Sequence, residues 1–202
     1  MNNKTSIYIL RDKSFIITAI YNIILISGGV FLLWLSALIK IPLAFSPVPI
    51  TGQTLVVLLL GVLYGSTRGA LTTAVYLVVG LLGLPVFQGG NSGMLYFLGA
   101  TGGYLIGFIA AAYVTGYLIE NGFYKKFWLT FLAMCLGNIV IYVFGLTWLS
   151  FYVGTDKCFW FGMFPFIPGD LIKIMIATMF IPTGGKILNY MKNLPKKNRV
   201  GD

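Results

Sequence analysis

The chain has 202 residues, of which 58% are apolar and 9% charged, and a mean hydropathy of +0.89. An average soluble domain carries about 25% charged residues, so this composition excludes one and makes the bilayer the expected surrounding. The net charge of +9 does not point to nucleic acid, because the basic residues stand singly or gather at the two ends, where they orient a membrane protein.

At about 20 residues per crossing, the length allows about six spans within one domain, 1–202. The first apolar run, 14–39, follows Lys4, Arg11 and Lys13. It is too long for the core of a signal peptide and reads as a retained helix. Ser27, Gly28 and Gly29 fall within it, where small side chains let another helix approach. Pro42, Pro47 and Pro49 stiffen the next connection against helix. Two short runs follow, 50–65 and 67–82, with the turn residues of 65–69 as a tight reversal between them. The segment 84–93 is rich in Gly and Pro but not very polar. It is expected to fold back over protein or line a cavity, since free backbone groups cannot face lipid. The fourth run, 94–119, places Gly99, Gly103, Gly107, Ala111 and Thr115 at every fourth position, a stripe suited to close helix packing. The fifth, 127–152, carries Asn138 and Tyr142 four apart, and an intramembrane Asn needs a partner on Tyr142 or on a neighbouring helix. A connection, 153–164, leads to the sixth run, 168–190, and a basic tail. The two cysteines, Cys135 and Cys158, have neither metal-ligand nor CxxC spacing.

Six crossings put both termini on one side. On that side lie Lys4, Arg11, Lys13, Arg68, Lys125, Lys126, Lys186, Lys192, Lys196, Lys197 and Arg199, eleven of the fourteen basic residues. The other side has Lys40 and Lys157. The positive-inside rule then makes both termini cytoplasmic in the cell membrane. Gln53, the loop around Asn91 and the start of the sixth run converge at the outer side, as a pocket open to the outside requires.

The sixth run opens on Pro165-Phe166-Ile167-Pro168-Gly169-Asp170-Leu171-Ile172-Lys173. Asp170 suits the first turn of a helix, but Lys173 does not, because a cation is unfavourable beside the positive end of the dipole. Three apart, the two side chains share one face and reach each other. Ionisable groups at membrane depth usually mark a substrate or ion path. Catalysis is not expected. Gly90-Asn91-Ser92-Gly93 fits a GxSG pattern, yet the chain has no histidine to serve as base, and Asp170 has no second intramembrane carboxylate with which to share acid and base roles.

Four motifs carry a resemblance: Val48-Pro49-Ile50-Thr51 with Gln53-Thr54; Gly83-Leu84-Pro85-Val86-Phe87 with Gly89-Gly90; Gly99, Thr101-Gly102-Gly103-Tyr104-Leu105 and Gly107-Phe108; and Pro165-Phe166, Pro168-Gly169-Asp170 and Lys173. In this order and spacing they resemble the biotin-binding S-component family (BioY) of energy-coupling factor transporters, from about residue 40 to 180. The resemblance implies an all-α bundle of six transmembrane helices with biotin, a substrate and not a cofactor, bound near the outer end. It also implies Asn91, Asp170 and Lys173 as ligand-binding residues. Biotin's ureido ring offers two N–H donors to a carboxylate and a carbonyl to an amide or ammonium, so Asp170 accepts while Asn91 and Lys173 donate. Gln53 and Tyr104 are further candidates, each also able to bond a neighbouring helix. The implied partner is a transmembrane coupling subunit with ATPases. Ile26 and Val30 stand where the family carries Ala-xxx-Ala for that docking, so weakened docking, and a chain working alone or as an oligomer, is expected. Alternatives are an S-component for another small vitamin and a non-transporting structural membrane subunit.

Overall fold

The computed structural model describes residues 3–181, with side chains from residue 16 onward. Residues 182–190 of the sixth expected span lie outside the described residues, as do the tail lysines and Arg199 and the side chains of Lys4, Arg11 and Lys13. The described residues are mostly helical: α1 (Asn3–Leu38), α2 (Gln53–Leu81), α3 (Gly93–Phe97), α4 (Gly102–Glu120), α5 (Phe127–Val153), α6 (Thr155–Gly162) and α7 (Ile167–Phe180). A two-residue ribbon, β1 (Lys40–Ile41) against β2 (Ile50–Thr51), is antiparallel with Lys40 opposite Thr51. Four of the helices, α1, α2, α4 and α5, are long and apolar enough to cross a bilayer. The pair α6 and α7, bent by 43°, adds a fifth if taken as one crossing.

The α2 element doubles back on itself. Gly65 has φ 80° and ψ −178°, a backbone that favours glycine because it lacks a Cβ. Beyond it the chain returns alongside its own first limb. The Gln53 Nε2 donates to the Tyr76 Oη at 2.7 Å, although in one straight helix the two residues would stand about 34 Å apart. A Cβ at Gly69 would lie 3.2 Å from the Gly61 Cα. The reversal expected at 65–69 is therefore a helical hairpin with its apex at Gly65. The apex is held from outside the hairpin. The Ser66 N–H and hydroxyl donate to the two carboxylate oxygens of Glu120, at 2.8 and 2.7 Å. A carboxylate there satisfies a free N–H of the second limb and sits favourably at its positive end.

The small residues set how near the helices come. A Cβ at Gly103 would strike Trp148, and one at Gly107 would crowd the Ile141 backbone. Ala111 and Thr115 meet Gly137, so the stripe is the seam between α4 and α5. Gly61 and Gly116 perform the same role between α2 and α4. Among packed helices in lipid, such backbone approach is what dispersion rewards.

Two expectations change. The run 94–119 is not one helix: the chain breaks between α3 and α4, leaving Gly99 out of the stripe. The carbonyls released by the break find donors on α5, the Trp148 indole at 3.0 Å for Gly99 and the Tyr152 hydroxyl for Leu98. The connection 153–164 is also not plain loop, since it contains α6 with Cys158 buried inside it. The segment 84–93 folds back as expected. Phe87 is fully buried, stacked on Tyr96 at 5.4 Å and edge-on to Tyr76 at 5.8 Å, in a place left open by Gly80.

Candidate functional site

The site grows from the first turn of α7. Pro168 occupies an early helical position, where its missing N–H has no intrahelical role. That start places Asp170 near the positive helix end, which favours its carboxylate. The residue is only 5% exposed, and its charge is met from three helices. Its Oδ1 accepts from the Lys173 ammonium at 3.3 Å and the Thr54 hydroxyl at 3.4 Å. Its Oδ2 accepts from the Tyr142 phenol at 2.6 Å and the Asn138 amide at 3.2 Å. The Lys173 ammonium also donates to the Thr51 carbonyl at 3.0 Å. A buried carboxylate is stable only when such bonds replace water.

All of these groups except Asn138 border a small cavity of about 50 Å³. Its apolar wall comes from Val48, Pro49 and Ile50 in the proline-rich strap, Leu105 and Phe108 on α4, and Ile141 on α5. Its polar margin includes Asp170, Lys173, Thr54, Tyr142, Gln53 and Gln88. The strap is held in place by the Ser46 hydroxyl, which donates to the Phe161 carbonyl of α6 at 2.6 Å. An anion, a cation and neutral donors thus converge on one end of an apolar chamber, an arrangement that suits a ligand both apolar and rich in hydrogen-bonding groups.

Of the five residues singled out from the sequence, four border this cavity and one does not. Asp170 and Lys173 form the ion pair. Gln53 borders the cavity, but its amide is engaged in a chain: it donates to Tyr76, whose hydroxyl donates to the Val86 carbonyl at 2.7 Å. Tyr104 also borders it, with its hydroxyl donating to the Gly162 carbonyl at 2.8 Å and its ring filling the gap at Gly145. Asn91 is exposed and its amide donates to the Gln88 carbonyl at 2.7 Å. From that loop it is Gln88 that reaches the cavity.

Tyr142, Asn138 and Thr54 were not among the five. Their signal was present: Asn138 and Tyr142 lie one helical turn apart on α5 and share a face, and Asp170 is the partner that the intramembrane amide required. Thr54 sits within the first of the four motifs.

Comparison with known proteins gives a consistent picture. A family model described as the BioY family matches residues 4–190. A biotin transporter BioY of Rhizobium etli is 37% identical over 179 residues, covering 84% of this chain and 91% of that protein. One of Thermotoga maritima is 39% identical over 159 residues, covering 77% of this chain and 91% of that protein. Among solved structures, the S-component for biotin from an ECF-type ABC transporter superposes with a TM-score of 0.72 at 26% identity, over 95% of both chains.

Proposed function

The chain belongs to the BioY family, and from that premise we propose that it is a multi-pass membrane protein that captures biotin at the outer end of its helical bundle and contributes to its uptake. The observation that carries this reading is the Asp170–Lys173 pair, its carboxylate buried and its ammonium partly exposed, at the margin of an apolar cavity. A ureido ring presents donors and an acceptor together, so it can meet the carboxylate and the ammonium at once. The bicyclic ring and valeryl chain of biotin suit the wall of Val48, Ile50, Leu105 and Phe108. Asn91 donates to the ligand from the 84–93 loop, while Gln53 and Tyr104 shape the chamber. At about 50 Å³ the chamber is well below the roughly 300 Å³ of a small ligand site. Biotin therefore enters by displacing the strap and the 84–93 loop outward, and that movement carries Asn91 towards it.

The chain crosses the membrane six times, counting each limb of α2 and the α6–α7 pair, with both termini cytoplasmic. The support is the distribution of basic residues and the hairpin at Gly65, whose apex beside Arg68 is clasped by Glu120 at the end of α4. Transport follows either with a coupling subunit or without one. Ile26 and Val30, at the positions of the family's docking alanines, are half-buried, whereas Ser27 and Gly28 face outward and nothing lies within 4 Å of a Cβ built on Gly28. A partner helix that does dock on α1 therefore meets Ser27 and Gly28.

Titration of the purified protein with biotin, with other small vitamins as competitors, tests the reading. Saturable binding displaced only by biotin supports it. Displacement by another vitamin would reassign the substrate, and no binding would favour a structural subunit.

A further inference from the structure

The Asp170 carboxylate is already saturated. Four donors meet it, two on each oxygen, and a carboxylate offers about four lone-pair sites. A ligand N–H can therefore join only by exchange, and the two oxygens are not equivalent for that purpose. Both bonds to Oδ2 come from α5. The Tyr142 bond, at 2.6 Å, is the shortest of the four, and Asn138 does not border the cavity. The bonds to Oδ1 are the longest, at 3.3 and 3.4 Å, and both donors, Lys173 and Thr54, border the cavity. Each has somewhere else to go. Lys173 keeps the Thr51 carbonyl, and a Thr hydroxyl near a helix start can turn to backbone. Asn138 is different again: its Oδ1 is buried without a partner, and its amide is oriented by donation to Asp170, with Tyr142 beside it.

We propose that the ligand reaches Asp170 by exchange at Oδ1, where an N–H of its cyclic urea displaces the Thr54 hydroxyl, while Tyr142 and Asn138 hold Oδ2 throughout. Thr54 is then a competitor of the ligand, and Tyr142 and Asn138 are positioning residues that act through Asp170. The inference deepens the biotin reading and rests on it.

The consequence is unusual in sign. Removing a hydrogen bond that exists only without ligand raises affinity, because the protein has less to give up on binding. The test is biotin titration of the purified full-length protein and its variants. Thr54→Val is expected to bind about two- to tenfold more tightly than the unaltered chain, the range of one ordinary hydrogen bond. Tyr142→Phe is expected to bind about tenfold more weakly, since it removes a bond to a charged acceptor. In an Asp170→Asn background both effects should shrink to within about twofold, the mark of residues that work through a third. Affinity that is unchanged or lower in Thr54→Val overturns the exchange, and a misfolded variant cannot imitate the expected gain. A Tyr142→Phe loss that persists in full without the carboxylate overturns the positioning role. Absence of biotin binding in the unaltered chain overturns the underlying reading itself, an outcome distinct from either.

Discussion

Asp170, a buried anion met by four donors, is both a binding element and a structural one. Asp170→Asn keeps the shape but leaves Lys173 without its counter-charge. Biotin affinity in a titration should fall at least tenfold, about 1.4 kcal/mol or more. Equal affinity in a folded variant would remove Asp170 from the site. The pairing of Asp170 with Lys173 was legible in the sequence because it depends on local helical spacing alone. The part played by Tyr142, Asn138 and Thr54 was not, since it depends on which faces of α2, α5 and α7 meet. Asn91 shows the converse: a motif position read directly as a ligand donor rests, in this structure, on its own loop.

At the scale of elements, the hairpin of α2 and its clasp by Glu120 are the least ordinary construction. The reversal could be read from Gly65-Ser66-Thr67-Arg68-Gly69, because turn chemistry is local. The clasp could not, because Glu120 is 54 positions away from Ser66. Glu120→Ala should lower stability by about 1 kcal/mol, the usual worth of a lost helix cap, seen as a lower unfolding temperature in detergent. Glu120→Gln should fall between, as it keeps one acceptor but not the charge. An unaltered unfolding temperature in the alanine variant would show that the clasp contributes nothing. The break between α3 and α4 escaped the sequence reading for a related reason. The every-fourth small residue continues through Gly99 regardless of the break, while the groups that satisfy the freed carbonyls, Trp148 and Tyr152, belong to another helix.

At the scale of the whole molecule, sidedness and coupling can be tested separately. In a chain whose Cys135 and Cys158 are replaced, Asn91→Cys should react from outside with an impermeant thiol reagent and Gly122→Cys should not; the reverse pattern would invert the topology. In a host without coupling subunits, labelled biotin should accumulate above an Asp170→Asn control, and uptake equal to the control would reject autonomous transport. If added coupling subunits raise uptake, Gly28→Leu should abolish the increase, because the outward small face of α1 would then be blocked. The hairpin also bears on how the protein is made. Gly65 divides the 29 residues of α2 into limbs of 12 and 16, about 18 and about 24 Å long, against a hydrocarbon thickness of about 30 Å. A nascent chain ending at Tyr64 therefore offers the insertion machinery a stub that cannot settle across the bilayer by itself. The two limbs are expected to enter the bilayer together, joined near the open end of the hairpin by the bond from Gln53 to Tyr76.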